Sequence, residues 1–238
     1  MLHLDRVDPA ASGTMAEMVD SAMATVRAVG RGEAPSTLRL YRPKPTVAFG
    51  RRDELNPRFA QARAAAVGHG FEPLVRTVGG HAAAYHSGCL VVDHFQKASD
   101  AVSGNHERYG IFGAMFAEAL TSLGIPAGVG ALPGEYCPGE YSVWGQLPGG
   151  QRIKLIGTAQ RVVAGAWWFS SGIVVTGADS LREVTTDVYQ ALGLPLDPAT
   201  VGAAADIESL ITVDDLEDAV IEAYESEGFW CADATPLN

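Results

Sequence analysis

Three short runs of this sequence hold residue types that can do group-transfer chemistry. In GEYCPGEYS, residues 134–142, Cys137 stands between Tyr136 and the pair Pro138-Gly139, a turn sequence. A free cysteine is usually buried and inert, and Cys89, inside the apolar run GCLVVD, fits that description. Cys137 lacks such surroundings and is the candidate nucleophile. In KLIGTAQR, residues 154–161, Lys154 interrupts an apolar stretch shortly before Gly157. A lysine there either reaches solvent along its stem or is buried with a purpose. In RTVGGHAAAYHSG, residues 76–88, Arg76 precedes Gly79-Gly80, and Ala82, Ala83 and Ala84 follow. Paired glycines admit a close backbone or ligand, the alanines leave room beside the chain, and Arg76 suits an anionic or carbonyl-bearing ligand. Each run also has an ordinary reading: a tight turn for the glycines, a core position for the cysteine, a polar-face position for the lysine. Cys231 lies near the C-terminus, and the six histidines show no metal-ligand spacing. His81 and His86, across one turn, suit a pocket wall or a hydrogen-bonding role.

The elements that must position these runs are readable from periodicity. Met15, Met18, Val19, Ala22, Met23, Val26 and Val29 recur at helical spacing after a Ser/Thr start, predicting a helix over 14–29. TLRLY at 37–41 and TVAFG at 46–50 read as strands split by Pro-Lys-Pro. Asn56-Pro57 opens a helix running to about His69. Strands follow over Leu74–Thr77 and Gly88–His94, then a helix over 108–123 stopped by Gly124 and Pro126. YSVWGQL and RIKLIGTAQRVV form a hairpin around Pro148–Gly150. A strand over 166–175 and helices over 180–192 and 213–227 complete the chain, the last opened by Thr212 with Asp215 as a capping box. The order predicts a mixed α+β fold with hairpins rather than βαβ alternation.

The chain has 238 residues, 47% apolar and 19% charged, and predicts a single domain able to bury a full core. No apolar run reaches the roughly 20 residues of a membrane helix, and the N-terminal run MLHLDRVDPAAS does not read as a secretory signal. Three cysteines without CxxC spacing form neither a disulfide framework nor a zinc site. The expected setting is the cytoplasm, as a soluble monomer. A net charge of -11 argues against nucleic acid as partner. The charge is uneven: residues 1–80 hold 11 Lys/Arg against 8 Asp/Glu, a net +3. Arg39, Arg42, Lys44, Arg51, Arg52, Arg58 and Arg63 make either a solvated surface or a basic face for an acidic partner or anionic tail.

In order, RTVGGHAAAYH, GEYCPGEYS and KLIGTAQR resemble the lipoate–protein ligase / octanoyltransferase family, which shares a catalytic fold with biotin–protein ligase. The family hallmark is an arginine shortly before Gly-Gly, then a lysine in K-x-x-G-x-A-Q/Y; here these are Arg76, Gly79, Gly80, Lys154, Gly157, Ala159 and Gln160. The resemblance covers roughly residues 30–190, with a C-terminal helical extension over about 200–230 in the same single domain. It implies a mainly antiparallel sheet packed with helices. A cysteine at position 137 is similar to the cysteine octanoyltransferase branch, and Y-C-P-G-x-Y looks most like the type that takes octanoate from the glycine-cleavage H protein. His81 and the long hairpin at Pro148–Gly150 depart from the family pattern.

The resemblance implies Cys137 and Lys154 as catalytic residues and Arg76, Gly79, Gly80, His81, Ala82, Tyr85, His86, Gly157, Thr158, Ala159, Gln160, Ser171 and Gly172 as substrate-binding residues, with no metal. Lipoyl-carrier domains of 2-oxoacid dehydrogenase complexes and the H protein are the implied acceptors, with acyl carrier protein a further donor. No cofactor is expected for acyl transfer through a thioester; ATP and Mg belong to the competing reading, an ATP-dependent lipoate–protein ligase. A non-catalytic lipoate- or carrier-binding protein is the third. In the acyltransferase reading Lys154 is expected within hydrogen-bond reach of the Cys137 sulfur, favouring the thiolate, and facing the acyl carbonyl. An octanoyl tail burying about six CH₂ groups gains on the order of 5 kcal/mol, so a dry slot is expected. Its expected walls are Gly79, Gly80, Ala82–Ala84, Gly157–Ala159 and Ser170–Gly172.

Overall fold

In the computed structural model the described residues are 1–8, 10, 13–229 and, for the backbone, 231–233. Pro9, Ala11 and Ser12 of the N-terminal run and the Cys231 thiol lie outside them. Helix α1, Met15–Arg31, starts where the Thr14 hydroxyl accepts from Glu17 N–H at 3.2 Å and the Glu17 carboxylate accepts from Thr14 N–H at 2.7 Å. It stops at Gly32, whose φ of 76° is left-handed. The predicted apolar residues of α1 are all buried.

The strands are β1 (Leu2–Arg6), β2 (Thr37–Tyr41), β3 (Thr46–Phe49), β4 (Glu72–Val75), β5 (Ala83–Tyr85), β6 (Cys89–Lys97), β7 (Ala127–Val129), β8 (Val143–Gln146), β9 (Arg152–Val163), β10 (Ala166–Val174) and β11 (Cys231–Asp233). The remaining helices are α2 (Arg51–Glu54), α3 (Phe59–Gly68), α4 (Asn105–Ser122), α5 (Ala178–Leu192) and α6 (Val213–Ser226). One eight-stranded sheet runs β11-β1-β2-β6-β10-β9-β8-β7, and a three-stranded sheet runs β4-β3-β5. In the large sheet only β1 pairs in parallel, with β11 and β2; from β2 to β7 every pairing is antiparallel. The architecture is the expected mixed α+β fold with a mainly antiparallel sheet.

The main core gathers Leu38, Leu90, Phe116, Ile156, Phe169 and Leu216, so α4 and α6 cover one face of the large sheet. Helix α1 packs on β6 and β10 through a separate cluster with Phe95 and Trp168. The small sheet, α3 and α5 share a third cluster around Phe49, Ala62, Val184 and Tyr189. Among the described residues no helix is long and apolar enough to cross a membrane.

Four strands escaped the pattern. β1, β5, β7 and β11 are three to five residues long, too short for alternation to register. Helix α2 is likewise a single turn. The fourth strand lies over 72–75 rather than 74–77, because its register follows β3, with Thr46 opposite Glu72. Arg39, expected on a basic surface, is inside. It sits opposite Asp93 in the β2–β6 register and bonds it at 2.8 Å, while Trp168 Nε1–H donates to the other Asp93 oxygen at 2.9 Å. Arg42 pairs with Asp214 at the start of α6.

His94 on β6 is fully buried. Its ring lies 4.6–5.4 Å from the ring centroids of Phe112, Trp167, Tyr224 and Phe229. Burial pushes the imidazole down from 6.5 to about 3, against a smaller opposing effect of its bond to Gln96. The unfolded chain therefore takes up a proton below about pH 6.5 that the folded chain refuses until about pH 3. His94 stabilises the fold above this window and loses its contribution as pH falls through it, at about 1.4 kcal/mol per pH unit. Urea unfolding at stepped pH should show this slope, and His94→Phe should flatten it; an unchanged slope in the variant would contradict the assignment.

Candidate active site

The two sheets meet at Cys137. Strand β3 ends at Phe49, and the Gly50 that follows passes so close to the next loop that a Cβ there would sit 1.8 Å from the Gly80 carbonyl oxygen. Strand β4 ends at Val75 and delivers Arg76, whose N–H donates to Phe49 O at 2.9 Å. Gly80 has φ +98°, and a Cβ on it would lie 2.6 Å from Cys137 Sγ and 2.7 Å from Arg76 Nη2. Gly80 is therefore required both for its backbone angle and to let the sulfur in. Gly79 meets no such constraint, since a Cβ there would touch nothing within 4 Å.

Cys137 itself has φ +42°, the one positive value on a non-glycine residue among the described residues. Such a backbone persists only where its surroundings over-determine it. Three contacts do so. Cys137 N–H donates to the Tyr189 hydroxyl at 2.6 Å, and that hydroxyl donates to Ala82 O at 3.0 Å. From the other side, Lys154 Nζ donates to the carbonyls of Tyr136 and Cys137, each at 2.9 Å. The ammonium also pairs with Glu135 Oε2 at 2.8 Å, both side chains being at most 1% exposed. Glu135 in turn accepts from Leu132 N–H at 3.0 Å and from the Ser142 hydroxyl at 2.7 Å, closing the loop on itself. Removing one member of such a buried pair costs about 3–5 kcal/mol.

Lys154 is thus not where the sulfur finds its donors. The expected ammonium–sulfur contact is replaced by two others. His81 N–H donates to Cys137 Sγ at 3.2 Å, and Arg76 Nη2 lies 3.6 Å from it while also donating to His81 O at 2.7 Å. Burial opposes the charge on Arg76, but Tyr85 and Cys137 outweigh it and hold the guanidinium more firmly protonated than a free arginine. The reason for the swap is geometric. β9 approaches the cysteine loop from behind, on the carbonyl side, whereas the Gly79–Gly80 turn crosses in front. Cys89 contrasts sharply, being fully buried with its thiol pushed up to about 12 by burial.

A cavity of about 300 Å³ opens at the sulfur. Its size is at the small end of ligand pockets, about 300–1,000 Å³. Arg76, Gly79, Gly80, Tyr85, Gly157, Thr158, Ala159, Gln160 and Gly172 line it, together with Cys137 and Lys154. Four expected residues do not. Ser171 lies on the opposite face of β10, because Trp168, Ser170 and Gly172 take the cavity side at period two. Ala82 turns into the core around the small sheet. His86 holds a turn, its Nε2 against Gly177 O at 3.0 Å and its Nδ1 accepting from Gly88 N–H at 2.8 Å. His81 touches the sulfur by its backbone, with its ring bonded to Asp53 at 2.7 Å. Of the proposed slot walls, Ala84 is buried away from the cavity, and Ala83 and Ser170 line it.

The sequence reading missed Met15 and Val19 of α1, which line the cavity with Tyr41, Val91 and Trp168. They were visible only as an apolar helix face, with no sign of what they faced. Gly172 gives the Tyr85 ring its place, since a Cβ there would fall 2.4 Å from it. On the far side of Gly79 and Gly80, Arg51, Arg52 and Arg161 surround an open depression that Arg76 also borders. This arrangement of a presented thiol, flanking donors and an adjoining apolar slot can hold an acyl group on sulfur.

Comparison with known proteins fits the geometry. The family described as Lipoyl protein ligase A/B catalytic domain matches residues 17–225. A curated octanoyl-[GcvH]:protein N-octanoyltransferase of Geobacillus kaustophilus is 28% identical over 175 residues, 74% of this chain and 59% of the relative. One of the same name from Exiguobacterium sibiricum is 28% identical over 162 residues, 66% of this chain and 55% of the relative. The chain thus spans little more than half the length of these relatives. Among solved structures, a T. acidophilum protein with bound lipoic acid superposes at TM-score 0.72 with 18% identity, covering 100% of this chain and 90% of that one. A lipoate-protein ligase A bound with ATP gives 0.64 and 18%, covering 99% and 88%. At these identities the two structures speak for the fold alone.

Proposed function

We propose, from the premise that this chain belongs to the lipoyl protein ligase A/B catalytic domain family, that it is an acyltransferase. It passes an octanoyl or lipoyl group through a thioester on Cys137 to a lysine of a lipoyl-carrier domain. The observation that carries this reading is the sulfur of Cys137 at the mouth of the slot, faced by Arg76 and the His81 N–H. Donors at a sulfur favour the thiolate, the form that attacks. The curated relatives are named as octanoyltransferases, which supports octanoate as the group moved.

In the proposed cycle Cys137 attacks the donor carbonyl, and the tail occupies the slot between Tyr85, Gly172 and helix α1. The acceptor lysine then attacks the thioester and leaves with an amide. The Arg76 guanidinium reaches the region where oxyanion charge develops. Lys154 shapes the loop from behind. The activated donor makes ATP and metal unnecessary, residues 1–238 act as one catalytic domain, and the reducing cytoplasm keeps the thiol free. An ATP-dependent ligase is the competing reading.

Intact mass after incubation with octanoyl-acyl carrier protein, and separately with octanoylated H protein, tests this without ATP. A hydroxylamine-sensitive octanoyl adduct is expected on the wild type and none on Cys137→Ala. No adduct from either donor, with carrier modified only when lipoate and Mg-ATP are added, would transfer the assignment to a ligase.

The carrier domain is proposed to dock over Arg51, Arg52 and Arg161, beside the Gly79–Gly80 turn. Reversing Arg51 and Arg52 to Glu should slow transfer to the carrier domain, most strongly at low salt, where charges are least screened. Equal transfer rates at low ionic strength would remove the docking face.

A further inference from the structure

Where a thiol stands depends on two peptide units, the one that enters its residue and the one that leaves it. Between these units Cys137 holds φ at +42°. An L side chain leaves that region unless contacts keep it there. The leaving unit runs into Pro138, which has no N–H, so only its carbonyl can be held. Lys154 Nζ holds that Cys137 carbonyl at 2.9 Å. The entering unit is trans, so its carbonyl and its N–H point to opposite sides. Lys154 takes the carbonyl, that of Tyr136, at 2.9 Å. The N–H goes the other way, to the Tyr189 hydroxyl at 2.6 Å.

Tyr189 lies near the C-terminal end of α5, buried in the cluster with Phe49, Ala62 and Val184. Its hydroxyl donates onward to Ala82 O at 3.0 Å. Ala82 follows His81, the residue whose N–H meets Cys137 Sγ at 3.2 Å. One hydroxyl thus bonds both segments that meet at the sulfur: the loop that carries it and the segment that donates to it. Burial, reinforced by the neighbouring Cys137, pushes the phenol up, so the hydroxyl stays protonated and keeps its bond to Ala82. Tyr189 does not line the cavity, so whatever it does for the reaction it does through Cys137 and the His81 segment.

We infer that Tyr189 is a positioning residue of the acyl transfer, its hydroxyl fixing the Cys137 loop and the His81 segment in the one register that presents the thiol to its donors. This rests on the acyltransferase reading. The bridge has two consequences for the reaction. It opposes relaxation of Cys137 to negative φ, which would swing Sγ away from the His81 N–H and the Arg76 guanidinium. It also occupies the Cys137 N–H. In acyl transfer a nucleophile's own N–H can serve the oxyanion, and here that N–H is turned to Tyr189 instead. The acyl oxygen is left to donors that line the cavity, of which Arg76 lies 3.6 Å from the sulfur.

The test separates positioning from packing. Tyr189→Phe removes one oxygen and both bonds while keeping the ring that fills the core. Val184→Ala opens the same core cluster and removes no hydrogen bond. Wild type and both variants are acylated at Cys137 with p-nitrophenyl octanoate over a range of ester concentration, at a temperature where all three stay folded, and their thermal midpoints are measured alongside. Tyr189→Phe should lower the maximal acylation rate by about tenfold to a hundredfold. The half-saturating ester concentration should stay at the wild-type value, because the slot is intact. Val184→Ala should lower the midpoint and keep the maximal rate. A wild-type maximal rate in Tyr189→Phe would overturn the inference, as would a matching loss of rate in Val184→Ala. Iodoacetamide alkylation of Cys137 in the same three proteins, with Cys89 as reference, needs no acyl chemistry. If the wild type takes no acyl group, the acyltransferase reading fails, and slower Cys137 alkylation in Tyr189→Phe alone still upholds the positioning role. Equal alkylation in all three overturns it.

Discussion

The buried Lys154 ammonium is the constraint on which the site depends. A cation removed from water must recover its lost hydration inside the protein. Lys154 does so with the Glu135 carboxylate and the carbonyls of Tyr136 and Cys137. All three partners lie on one loop, so satisfying the charge dictates the path of that loop. The carbonyl of Cys137 is drawn inward, and with φ at +42° the side chain turns outward toward the cavity. The Tyr136 ring, whose centroid is 4.7 Å from Nζ, covers the ammonium further. The lysine thus acts as a fastening that fixes where the Cys137 thiol stands.

The front of the sulfur is built by a different part of the chain. The three-stranded sheet ends in Gly50, Arg76 and the Gly79–Gly80 turn, which together bring a guanidinium and one N–H to Sγ. Tyr189, from α5, joins the two halves by accepting from Cys137 and donating to Ala82. The slot belongs to neither half alone, because α1, packed on the face of the large sheet that carries Trp168, contributes Met15 and Val19. Preorganised donors and an apolar wall thus converge on one atom, while the regular elements supply rigidity.

Much of this was legible in the residues. Helix α1 followed from its apolar spacing, α6 from its capping box, and the hairpin of β8 and β9 from its turn residues. Cys137 stood out because its neighbours were turn formers, and Lys154 because it broke an apolar strand. What each side chain faced was not legible. The carbonyls holding Lys154 are backbone atoms and leave no trace in a sequence. Asp53 and Tyr189 lie far along the chain from the residues they hold, so neither spacing nor periodicity links them to His81 or Cys137. Arg39 looked like surface charge for the same reason, since only the β2–β6 register brings it to Asp93. Ser171 was assigned to the slot by proximity in sequence, and a period of two placed its neighbours there instead.

The central claim is that Arg76 and the His81 N–H, rather than Lys154, stand against the Cys137 sulfur. The most direct measurement is the initial rate of iodoacetamide alkylation at Cys137 in wild type and in Arg76→Met, read by peptide mass with Cys89 as the internal reference. The account predicts that Cys137 reacts far ahead of Cys89 in the wild type and slows by about tenfold or more when the guanidinium is removed. An unchanged Cys137 rate in Arg76→Met would contradict it.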